Sequence, residues 1–307
     1  MTIHHKTAMP TRREVFQTLQ NSHQLPMPSQ TALQVMRLCQ SDATSLEDIA
    51  QVVQADPALS AEVLKYANSA FLATGVQVAS IQRAAVKLGM KTISHLALCF
   101  SLLAANRQGS CQAFDYERFW SISLARAIAG KTLASHVKGS DPDEIFTCAL
   151  LSHMGELVLA SVFPDEYEII LAEDASCETR KTMERMRFAI DSAELTAELF
   201  LDWGLPATYA LAAGFHEELD TSELGESTTR KVAELLNLSC RLAALCSGDR
   251  PGAPWFEATE ELAQTVTGKD DICPAVFDTV VEQWREWGKA FAIATTPCPS
   301  YEEIKAG

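Results

Sequence analysis

The sequence predicts an all-α protein, a multi-helical bundle without a sheet. Three observations carry that expectation. Apolar residues recur at i, i+3, i+4 and i+7 along most of the chain, the spacing of one helix face, and alternating strand patterns are scarce. Helix-start residues of the Ser and Asp type stand ahead of those stretches, with Gly or Pro near their ends. With 307 residues, 47% of them hydrophobic, the chain can bury about three quarters of its unfolded surface, enough for one large domain or two fused halves.

Residues 1–24 are expected to form a helical lead-in. Ala32, Val35, Met36 and Cys39 then mark one helix face, and Leu46, Ile49, Ala50 and Val53 mark the next. The "TSLED" run ahead of the latter offers two capping-box registers, Thr44 with Glu47 or Ser45 with Asp48. Asp56 followed by Pro57 supplies an N-cap and a first-turn proline, which has no N–H to leave unpaired. Ser80 opens a helix that Gly89 is placed to end, and Ile93, Leu96, Ala97 and Phe100 carry one that is apolar nearly all round. The polar run "NRQGSCQAF" (106–114) is the best internal boundary. Beyond it, helices are expected from near Asp115, from Asp141-Pro142 through "ALLSHMGELVLA", and from Asp191 to "WGLP" (203–206). Helical patterns continue after "GDRPGAPW" to about Phe291, and the Pro297/Pro299 segment reads as a tail. The expected division is 1–24, 25–108, 109–292 and 293–307.

The formal charge of −15 argues against binding a nucleic-acid backbone, which needs clustered Lys and Arg. Nine cysteines, an odd number with no CxxC, fit a reduced cytoplasmic protein better than a disulfide framework. No charged-then-apolar leader precedes the first helix. The apolar stretch at 145–163 is interrupted by Ser152, His153, Gly155 and Glu156 and is not expected to span a membrane. No GxSxG, P-loop or strand-linked GxGxxG is present, so no nucleophile or phosphate cradle is legible.

Six stretches together resemble the HDOD family. "LPMPSQTALQVMRLC" (25–39), "DPALSAEVLKYANSAF" (56–71) and "SIQRAAVKLGMKTISHLAL" (80–98) are similar to its N-terminal half. "FWSISLA" (119–125), "ALLSHMGELVL" (149–159) and "WGLPATYALAAGFHEE" (203–218) are similar to its HD-like half. The resemblance implies an HDOD-like bundle, with the N-terminal helical half packed on the HD-like half. It also implies a standalone module of bacterial signal transduction, related to metal-dependent HD phosphohydrolases but not usually catalytic.

Carried over position by position, the resemblance implies that the metal set is gone. The first ligand histidine falls on Ile122, the adjacent His and Asp fall on Ser152 and His153, and a further His falls on Ser192. His216 stands where the family has a His, followed by Glu217. A one-residue slide does not restore the set. It turns the side chain by about 100° around a helix axis and puts Met154, a poor ligand for hard ions, in the place of the acid. His153 continues the face of Phe146 and Leu150, and His216 that of Tyr209, Ala212 and Ala213, so both read as neutral core residues. Asp191 and Glu194 read as a capping pair rather than an acid–base pair. No cofactor or metal is expected, and catalysis is expected to be absent. The expected partners are other signalling proteins and a small nucleotide in the vestigial pocket, with no nucleic acid and no membrane. Phe71 and Leu72, beside a Gly75 turn, are the candidate partner surface. The competing reading is a divergent phosphohydrolase or phosphodiesterase that assembles ligands from His153, His216, Glu217 and Asp191.

Overall fold

Local capping chemistry sets the helix starts. In the computed structural model, which describes residues 15–17, 19, 25–39, 41, 43–68, 77–173, 176–218, 221–225 and 227–307, sixteen α-helices and no strand occur among the described residues. The N-terminal half holds α1 (Gln30–Cys39), α2 (Leu46–Gln54), α3 (Pro57–Ala67), α4 (Ile81–Leu88) and α5 (Met90–Ala105). Of the two capping registers ahead of α2, the protein uses Ser45 with Asp48. The Asp48 N–H donates to Ser45 Oγ at 3.2 Å and the Ser45 N–H to Asp48 Oδ2 at 2.9 Å. Asp56 caps α3 and Ser80 caps α4. Gly89, with φ of +80°, makes the turn into α5 that a residue bearing a Cβ would resist. Phe71 and Leu72 lie outside the described residues.

The second half begins with α6 (Tyr116–Ala134), capped by Asp115 and buried on nearly every side. Around it stand α7 (Pro142–Leu151), α8 (Met154–Val162), α9 (Pro164–Leu171), α10 (Cys177–Phe188), α11 (Ser192–Asp202) and α12 (Ala207–Phe215). Then come α13 (Thr228–Cys246), α14 (Ala253–Thr267), α15 (Ile272–Phe291) and α16 (Tyr301–Ala306). The stretch Pro142–Val162, α7 with α8, is long and apolar enough to cross a membrane, and most of it is buried in the core. The segment read as a tail is packed: Tyr301 of α16 is fully buried and edges against Phe256.

One continuous apolar core joins the halves. Its seam is aromatic. Tyr66 of α3 meets Trp287 of α15 with ring centroids 4.6 Å apart, and Phe100 of α5 meets Phe291 at 4.5 Å. The 106–114 boundary is fastened to the same helix, since Arg107 donates to the carbonyls of Phe291 and Ala292 at 3.0 and 3.1 Å.

Candidate functional site

The "LLSHMGEL" run does not continue as one helix. α7 ends at Leu151 and α8 starts at Met154, with His153 between them at φ −114° and ψ 19°. The expectation that His153 extends the face of Phe146 and Leu150 is therefore corrected. The apolar period runs straight through a tight break, which hides it. The break is fixed from both sides. Gly155 packs so closely on the start of α11 that a Cβ there would lie 1.9 Å from the Ser192 carbonyl oxygen. The Gly155 N–H donates to Thr196 Oγ1 at 2.9 Å.

The break aims His153 inward. Its ring meets that of His216, at the C-cap of α12, edge-on with centroids 4.7 Å apart, and both are buried. His153 Nε2 lies 3.3 Å from Glu217 Oε1. A carboxylate oxygen only accepts, so Nε2 carries the proton, and the Nδ1 lone pair faces Ser152 Oγ, 2.9 Å away. Ser152 is buried, and its single hydroxyl proton stands between two acceptors, since the Ala149 carbonyl is also 2.9 Å from Oγ. His216 Nδ1 lies 2.6 Å from the Ala213 carbonyl, which likewise only accepts. That fixes the proton on Nδ1 and leaves Nε2 with a bare lone pair.

The cations here were not legible from motifs. Lys181 of α10 is 2% exposed and lies 3.2 Å from Glu217 and 3.0 Å from Glu218. Arg180 lies 3.0 Å from Glu156. Arg126 stands on α6 one turn beyond Ile122, and its charge acts on His153, His216 and Cys240 alike. A lone Arg inside the apolar "SLARAIAG" run was the available signal.

Burial, then the Arg126 charge, hold His153 well below its ordinary pKa, and burial likewise lowers His216. Both imidazoles are neutral. Burial alone would raise Glu217, but the His153 hydrogen bond and the Lys181 charge outweigh it and hold its carboxyl well below the usual range.

Could this centre hold a metal? Two trios of donors gather with their ligand atoms within 4.8 Å: His153, His216 and Cys240, and His153, Glu156 and Glu217. Both trios stand among cations and carboxylates that are already paired. Glu156 and Glu217 are already neutralised by Arg180 and Lys181, and the permanent charge of Arg126 bears on the same atoms. Ile122, at 8% exposure, has no lone pair to offer, and burial pushes the Cys240 thiol up to about 11, away from the thiolate a metal needs.

The other expected site residues are structural. Asp191 is the N-cap of α11, with Glu194 completing the capping box and Arg185 paired to the carboxylate. The Ser192 N–H donates to Glu184 at 2.8 Å. A second space, a cavity of about 280 Å³, lies between α1 and α5 on one side and α7 and the start of α12 on the other. Its charges are paired, Lys91 with Asp141 and Glu144 with Tyr209.

With this geometry in view, comparison with known proteins gives the affiliation. The HDOD domain matches residues 25–219. The chain belongs to the HDOD family. A solved response regulator, MmoQ of Methylococcus capsulatus Bath, is 34% identical, over 82% of this chain and 97% of its own, with a TM-score of 0.52. A Shewanella amazonensis SB2B protein, described as a candidate phosphohydrolase, is 25% identical over 90% of this chain and 97% of its own, with a TM-score of 0.70. An uncharacterized protein of Treponema pallidum is 22% identical over 209 residues, which are 64% of this chain and 38% of that protein's length.

Proposed function

We infer that this HDOD chain is a non-catalytic signalling module in the cytoplasm, regulating by binding other signalling proteins or a small ligand such as a nucleotide. The observation that carries the reading is the fate of the metal positions. Isoleucine and serines stand at 122, 152 and 192, and the histidines that remain are committed to Glu217, Ser152 and the Ala213 carbonyl. Metal-assisted hydrolysis needs an ion with an open coordination position to lower the pKa of its water. Here Arg126 and Lys181 supply the positive charge on side chains, which cannot ionise a water in that way. The response-regulator description of MmoQ supports a signalling context.

The competing reading, a divergent phosphohydrolase, draws on the two donor trios. Elemental analysis of the native protein separates the two. The expected result is no stoichiometric iron, manganese or zinc, and no phosphodiesterase activity against cyclic or linear nucleotides with manganese, iron or magnesium added. About one equivalent of metal, lost in His153→Ala, would establish the hydrolase instead.

A further inference from the structure

Three buried polar atoms at the His153–His216 centre have no hydrogen-bond partner: Nε and Nη1 of Arg126, and Nε2 of His216. Native interiors seldom leave such groups bare, and a missing ligand is one standard reason. The contrast with neighbouring cations sharpens the point. Lys181 has two carboxylates and Arg180 has one at 3.0 Å, whereas Arg126 has no ion pair among the described residues. Arg126 is half-buried and a guanidinium cannot shed its proton, so its unpaired buried edge keeps a desolvation penalty until an anion meets it. Glu217 is not that anion, being held by His153 and Lys181. Water could satisfy the N–H groups but not the charge.

The His216 tautomer adds a second requirement. With Nδ1–H given to the Ala213 carbonyl at 2.6 Å, Nε2 can only accept. A single group that satisfied both would accept from Arg126 and donate to His216. We propose that the centre binds a small oxyanion bearing a hydroxyl proton, a hydrogenphosphate group, with anionic oxygens on Arg126 and its P–OH on His216 Nε2. Chloride and sulfate meet the first requirement and fail the second. No covalent step is involved, and phosphate enters and leaves unchanged. The site rests on the small-ligand branch of the regulatory reading and names its ligand class.

The test is calorimetric titration of the full chain with inorganic phosphate at pH 7 and fixed ionic strength, with sulfate as the matched anion. Saturable binding of one phosphate is expected, with sulfate about tenfold weaker or worse, because it leaves His216 Nε2 unpaired. Arg126→Gln should remove the saturable phase, and His216→Phe should bring the two anions to equal affinity. Arg126→Lys, which keeps the charge and loses the guanidinium geometry, covers the case in which the Gln variant does not fold, and should weaken binding without abolishing it. Methyl phosphate in place of phosphate distinguishes a phosphorylated molecule from the free anion, since only a site open beyond the phosphoryl group accepts both. Sulfate binding as tightly as phosphate, no saturable binding in the parent, or binding indifferent to Arg126→Gln overturns the proposal. Those outcomes leave regulation through protein partners standing. Metal-dependent hydrolysis would overturn the non-catalytic reading without touching phosphate binding to Arg126.

Discussion

Ser152 and His153 show at the residue scale what a sequence can and cannot reveal. Ser152 shares a face with Ile145, Cys148 and Ala149, which points it inward, and the Ala149 carbonyl at 2.9 Å agrees. Arg126 showed only as a lone cation in an apolar run and Lys181 not at all, because their roles depend on which groups the fold brings beside them. Their presence makes a sharp prediction for the double substitution Ser152→His, His153→Asp, which restores the family-like pair. It should still bind no stoichiometric metal by elemental analysis, because Ile122 and Ser192 remain non-ligands and Arg126 repels the ion. A second prediction concerns His95, stacked on Phe146 at 5.6 Å and pushed down by burial to a pKa of about 4. The unfolded chain takes up this proton near pH 6.5 and the folded one only near 4. The stability it contributes is thus fully present above 6.5 and lost as pH falls towards 4, by about 1.4 kcal/mol per pH unit across that window. Denaturant titrations at pH 7 and pH 5 should show the loss, and His95→Phe should make the decline shallower.

At the scale of elements, starts and stops were legible because they are written in a few adjacent residues. Asp56, Ser80, Asp115, Asp141 and Asp191 all cap helices as the sequence indicated, each accepting from a backbone N–H two or three residues on. The break between α7 and α8 was not legible, since apolar periodicity continues on both sides of it. What enforces the break is the approach of α8 to the start of α11 at Gly155, a contact between segments about forty residues apart. Two substitutions separate these effects. Asp191→Ala removes a cap and should cost about 1 kcal/mol, somewhat more for the lost Arg185 ion pair. Gly155→Ala puts a methyl into a backbone carbonyl that cannot step aside, and should cost about 3 kcal/mol or more. Comparable losses of thermal stability in the two variants would mean that the α8–α11 contact is looser than described. The larger loss in Gly155→Ala should also unseat His153, which the same break positions.

At the scale of the whole molecule, the polar 106–114 run suggested where one half ends but not how firmly the halves are joined. Much of the join is made by α15, nearly two hundred residues further on, which returns to set Trp287 and Phe291 against Tyr66 and Phe100, and His95 stacked on Phe146 of α7 adds to it. Sequence periodicity reports which face of a helix is apolar and not which distant helix will cover it. The one hint was α5, apolar nearly all round and so requiring cover on more than one side, and nine of its residues are buried. Cutting the chain at 108/109 would expose the α5 face and the Trp287–Phe291 face together and release the Arg107 bonds to the end of α15. Separately expressed 1–108 and 109–307 should therefore be poorly soluble, whereas co-expression should return a soluble pair held by the aromatic seam. The intact chain should unfold in a single cooperative transition, because neither half keeps a closed core without the other. Two fragments that each stay soluble and melt cooperatively alone would show that the seam is an interface between finished domains rather than the middle of one core.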